Sequence, residues 1–156
     1  MIYRYRREEI GATPAYPSNF IFRPRIPVWV GVGDGPRMPF LGLLDTGADD
    51  TKMFISQAER LGVALDRGQP IPLRGVGGWT VGYFGEVTLE LRQSPRFYIW
   101  TAQVAFVPDP SDATPAEKAN IVLGHTSFFR YFKAEFDSQR SRVELRPNGL
   151  FVGRPR

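Results

Sequence analysis

The chain has 156 residues, enough for one compact domain with a real core and too few for two domains of ordinary size. Its 42% hydrophobic and 23% charged residues, with 16 Gly and 14 Pro, fit a turn-rich globular protein better than a disordered chain or a helical bundle and favour an all-β or mostly β fold. The formal charge of +4 is carried by arginines such as Arg4, Arg6, Arg7, Arg23 and Arg25 without any nucleic-acid motif, so it reads as a solvated basic surface with no nucleic-acid partner.

Residues 1–7 alternate apolar and basic side chains and lead into Glu8 and Glu9, without the apolar run of a signal peptide, and no segment has the length of a membrane span. A cytoplasmic protein with no membrane partner is the expectation. Residues 1–25 read as an N-terminal arm, extended or strand-like at its start, because their aromatic and Pro-rich stretches show no helical period. Residues 26–32 and 38–44 form a predicted β-hairpin around Gly33-Asp34-Gly35-Pro36. A helix of about two turns follows over residues 54–61, where Ile55, Ala58 and Leu61 recur at helical spacing, Ser56 can cap the start and Gly62 the end.

Strands are then expected over 71–73, 81–91 and 97–107, with a Gly-rich turn at 75–78 and an exposed loop at 108–116. Residues 121–123 read as a short buried strand, 126–132 as a helix, and 133–137 with 142–146 as a last hairpin in which Asp137 serves the turn. The whole chain, 1–156, is thus expected to be a single domain: an arm (1–25), a core (26–146) and a tail (147–156).

Cysteine is absent and His125 is the single histidine, so thiol nucleophiles and thiolate or multi-histidine metal centres within one chain are excluded. Carboxylate chemistry remains. Asp45 comes directly after a predicted strand and is followed by Thr46 and Gly47, a strand-held carboxylate with a tight turn behind it. In that arrangement the strand holds Asp45 rigidly and Gly47 lets a backbone N–H reach the carboxylate. A bare Asp-Thr-Gly is common in turns, so its neighbours decide.

The segment Leu43-Leu44-Asp45-Thr46-Gly47-Ala48-Asp49-Asp50-Thr51 resembles the active-site segment of retroviral-type aspartic proteases, the retropepsins. Leu73-Arg74-Gly75-Val76-Gly77-Gly78-Trp79 is similar to the family's glycine-rich flap, and Ile121-Val122-Leu123-Gly124-His125 to its apolar-apolar-Gly segment beneath the active-site loop. The resemblance spans residues 26–146. It implies a closed β-barrel of the acid-protease fold with a flap hairpin and one or two short helices. It also implies an aspartic endopeptidase that needs no metal or cofactor and assembles its site as a homodimer, with one Asp45 from each protomer.

Thr46 and Gly47 would complete the catalytic turn, with Thr46 reaching the neighbouring chain. A peptide or protein substrate would meet Ala48, Asp49, Asp50, Gly75, Val76, Gly77, Gly78, Trp79 and Ile121, with Val76, Trp79 and Ile121 forming pockets. The family usually carries arginine where this chain has His125, so His125 either charges at acidic pH to pair Asp49 or sits neutral in a hydrogen-bonded loop. A competing expectation is a non-catalytic dimeric module that binds peptides or proteins on the same fold.

Overall fold

The computed structural model of the protein describes residues 1–65, 69–75, 78–112, 114 and 119–155. Its strands begin in the arm, with β1 (Ile2–Arg4), β2 (Arg6–Glu9) and β3 (Phe20–Arg23). The expected first hairpin is β4 (Arg25–Gly31) and β5 (Met38–Leu44), and β6 (Lys52–Phe54) leads into helix α1 (Ile55–Leu61). Next come β7 (Ile71–Gly75), β8 (Gly78–Gln93), β9 (Arg96–Val107) and β10 (Asn120–Leu123). A π-helical turn over His125–Phe129, then β11 (Phe132–Asp137), β12 (Arg142–Pro147) and β13 (Arg154–Pro155), complete the order.

Strands β9, β6, β10, β5, β4 and β8 pair in that order, and β8 pairs back with β9, so the sheet closes into a barrel. This is the expected mostly β, closed-barrel class with few short helices. Closure leaves none of these six strands as an open edge. Two pairings in the ring are parallel, β10 with β5 and β6 with β9, and the rest are antiparallel. β7 extends β8 as a hairpin and β13 lies on the free side of β9, while β1, β12 and β11 form a separate three-stranded sheet.

Alternation of side chains builds the core. In β4 the buried residues are Ile26, Val28 and Val30, each fully buried, and β8 contributes Val87, Leu89 and Leu91. Gly42 is needed where β5 meets β10, because a Cβ there would lie 2.6 Å from Cδ1 of Leu123. Beneath one end of the barrel, Trp100, Phe128, Phe132, Tyr98 and Phe151 pack ring against ring at centroid distances of 5.1–6.2 Å. The Trp100 indole N–H donates to the Ser127 carbonyl at 3.0 Å, tying this cluster to the π-helical turn.

The arm packs into the body. Met1 and Tyr3 are buried in the core, and β1 pairs antiparallel with β12. The Glu8 carboxylate bridges Arg23 and Arg25, so two of the clustered arginines share one counter-charge.

Two local expectations are corrected. The helix expected over 126–132 shortens to the π-helical turn, because Phe132 is drawn into β11 opposite Pro147 and buried in the aromatic cluster. Ser56 does not cap α1; Phe54 stands at the cap position, where the Gln57 side chain accepts its backbone N–H at 2.7 Å, and the Ser56 hydroxyl donates to Asp109 instead. Gly62 does end the helix, in the left-handed conformation with φ 71°. The loop expected at 108–116 lies partly outside the described residues.

Phe128 is fully buried and stacks on Phe132 with ring centroids 5.2 Å apart, so Phe128→Ala removes the centre of the aromatic cluster. It should lower unfolding free energy by about 3–5 kcal/mol, read as a reduced urea midpoint with an unchanged slope.

Candidate active site

Asp45 follows β5, where the parallel ladder with β10 continues one step beyond the strand: the Asp45 N–H donates to the Leu123 carbonyl at 3.1 Å. The chain then turns sharply. The Ala48 N–H donates to the Asp45 carbonyl at 3.2 Å, and the Gly47 N–H donates to the Asp45 carboxylate at 2.9 Å, an Asx-type turn. Gly47 keeps this approach open, because a Cβ there would stand 3.3 Å from the same carboxylate oxygen. Asp45 is half-buried, Thr46 and Gly47 are exposed, and Ala48 is buried.

The far side of the loop is fastened by the segment after β10. The His125 N–H donates to the Ala48 carbonyl at 2.9 Å and the Thr126 N–H to the Asp49 carbonyl at 2.8 Å. The Gly124 N–H donates to the hydroxyl of Thr51, which is fully buried, at 3.1 Å, and the Thr126 hydroxyl donates to Asp50 at 2.8 Å. These bonds require close packing of two backbones. A Cβ on Gly124 would lie 2.4 Å from the Asp50 carbonyl oxygen, so only glycine fits.

His125 addresses Thr46 rather than Asp49. Its Nε2 lies 2.9 Å from the Thr46 carbonyl, and since a carbonyl only accepts, Nε2 carries the proton. The ring also packs 5.4 Å from the ring of Phe129. This matches the hydrogen-bonded loop histidine and not an ion pair with Asp49.

The remaining candidates sit on other elements. β7 and β8 pair from Ile71 opposite Gly82 to Gly75 opposite Gly78, so the Gly-rich segment belongs to a hairpin, with Val76 and Gly77 outside the described residues. Gly78 has φ 105°, a conformation that glycine alone adopts readily, and Trp79 beside it is 71% exposed. Ile121 is 2% exposed and packs within the core cluster, yet it also borders a cavity of about 420 Å³, together with its half-buried neighbour Val122. Asp137 accepts the Arg140 N–H at 2.9 Å in the β11–β12 turn, as expected of a turn residue.

Reasoning from sequence passed over Thr51 and Thr126, which hold the loop through bonds to distant segments. It also passed over Leu43, Lys52 and Val122, which line a cavity of about 420 Å³. Burial alternates along β5 and β10 and turns Leu43 and Val122 outward, but both strands are near-continuous apolar runs in sequence, so no apolar–polar alternation marked these two residues. A second hollow, of about 360 Å³, lies between Asp50, Glu86, Gln103, Thr126 and Arg130.

No family model matches the sequence, and no curated protein matches it. Among solved structures, the chain is similar to EIAV protease complexed with the inhibitor HBY-793, at 22% identity over 66% of this chain and 82% of that one, with a TM-score of 0.45. It is also similar to a retropepsin-like aspartic protease from Rickettsia conorii, at 13% identity over 90% of this chain and 98% of that one, with a TM-score of 0.42.

Proposed function

We propose that the protein is an aspartic endopeptidase acting as a homodimer, in which Asp45 of each protomer supplies one of two facing carboxylates. The observation that carries this reading is the preorganised Asp45 turn: a carboxylate at the end of a core strand, bonded by the Gly47 N–H and braced from behind by Gly124, His125 and Thr126. One chain contributes one such turn. Two carboxylates placed together cannot both ionise freely and share a proton, so one activates water while the other protonates the substrate carbonyl oxygen. The pair then titrates jointly.

In the dimer a two-fold axis passes between the two Asp45 turns, and the exposed Thr46 hydroxyl reaches the partner chain while its carbonyl is held by His125. An extended peptide lies along the loop at Ala48, Asp49 and Asp50, and the β7–β8 hairpin covers it as a flap through Gly75, Val76, Gly77, Gly78 and Trp79. Ile121, being buried, supports the wall of the site from within the core.

Among the described residues no helix is long and apolar enough to cross a membrane. The two hydrolytic carboxylates need neither a metal nor an organic cofactor.

A diverse peptide library cleaved from about pH 4 to pH 7 tests the proposal, since a shared-proton pair favours an acidic-to-neutral optimum. Asp45→Asn should abolish cleavage. Equal product from wild type and Asp45→Asn, or no product from a dimeric wild type, sinks the peptidase reading and leaves retained peptides as the thing to look for.

Specific activity should fall on dilution in step with dissociation followed by sedimentation, and a rate per chain that stays constant through dissociation would remove the dimer from the mechanism. Thr51→Val keeps the side-chain shape but strands the buried Gly124 N–H. It should cost about 1–3 kcal/mol of stability and reduce cleavage, measured by urea unfolding alongside peptide turnover.

A further inference from the structure

Burial along β5 alternates, with Phe40, Gly42 and Leu44 inside and Leu41 and Leu43 half-buried on the other face, and Asp45 continues that outer phase. The Leu43 side chain therefore leaves the sheet on the same side as the Asp45 carboxylate. Leu43 stands opposite Arg25 on β4 and opposite Val122 on β10, and Val122 stands opposite Lys52 on β6. Residues directly opposite share a face. Arg25, Leu43, Val122 and Lys52 thus form one row across four strands, two apolar residues flanked by a cation at each end, and all four line the cavity of about 420 Å³.

The two cations differ. Arg25 is ion-paired to Glu8, which also holds Arg23 at 3.1 Å. Lys52 is half-buried and has no ion pair or hydrogen bond from its ammonium among the described residues. Met53, Phe54 and Val107 extend the apolar wall around it, and the cavity's one described carboxylate, Asp112, is exposed. An entering side chain thus meets an apolar floor and, in Lys52, a positive charge with no ion pair among the described residues.

We propose that this row is a substrate subsite for an acidic side chain, glutamate or aspartate, and that Lys52 sets the preference. The inference rests on the aspartic endopeptidase reading and names the substrate class of that site. The methylenes of a glutamate cover Leu43 and Val122 while its carboxylate meets the Lys52 ammonium. Charge-assisted hydrogen bonds are about twice as strong as neutral ones, and partial enclosure limits screening by salt. Glutamine fits the same volume without the charge.

The test compares peptides differing only by Glu, Gln or Lys at each position in turn, cleaved by wild type, Lys52→Gln, Lys52→Arg and Lys52→Glu. At one position wild type should favour Glu roughly tenfold in kcat/KM, the size expected for one charge-assisted contact. Lys52→Gln should level the ratio, Lys52→Arg should keep it, and Lys52→Glu should turn the preference towards Lys-containing peptides. Added salt should shrink the ratio. A Glu/Gln ratio that is the same in wild type and Lys52→Gln at every position overturns the subsite while leaving the peptidase reading intact.

Absence of cleavage by wild type overturns the peptidase reading instead. The subsite is then judged by calorimetric binding of the same Glu and Gln peptides to wild type and Lys52→Gln, where equal affinities overturn it and a Glu preference lost in Lys52→Gln supports it.

Discussion

The close approach of two backbones, residues 48–51 against residues 124–126, is the constraint on which the rest depends. Gly124 makes it possible, because any Cβ would overlap the Asp50 carbonyl, and four hydrogen bonds then bind the loop from Ala48 to Thr51. The loop cannot relax on its own. Its carboxylate gains a defined direction through the barrel, since β5 and β10 run parallel and enter the two sides of this contact in register. Parallel neighbours deliver their carboxyl-terminal ends to the same edge of a sheet, where loops from separate parts of the chain meet.

Behind that contact stands the aromatic cluster. Phe128 and Trp100 fix the π-helical turn from below, the second through its bond to the Ser127 carbonyl, so the segment bracing the loop is itself anchored in the core. The wider turn gives room for Phe128 and Phe129 to point to different neighbours, Phe128 to the rings beneath and Phe129 to His125. Packing, hydrogen bonding and the direction of one carboxylate are thus a single arrangement.

Much of this was legible because period-two patterning is local. Ile26, Val28 and Val30 declare the inner face of β4, and Gly33 to Pro36 declare the turn that follows it. The Asp45 turn was equally legible, since strand, carboxylate and glycine are adjacent in the chain. What escaped depends on partners far away in sequence. Asp109, 53 positions on, claims the hydroxyl of Ser56 that local rules assign to capping, and the partner of His125 is a carbonyl 79 positions back. Phe132 carries helical spacing, yet pairing with Pro147 outweighs a weak local preference. The row from Arg25 to Lys52 exists only once four strands are in register.

β8 runs without interruption for 16 residues, its first part paired with β7 and exposed, its last part paired with β4 and β9 and buried. Between them Gly82 presses so closely on Phe106 that a Cβ would stand 2.7 Å from its carbonyl oxygen. The hairpin is therefore a beam clamped at one end in the barrel wall rather than a panel on a hinge. The stiffness of that strand is set at the clamp, by the fit of Gly82 and Gly85 against Phe106, several residues along the chain from the exposed end that begins at Gly78.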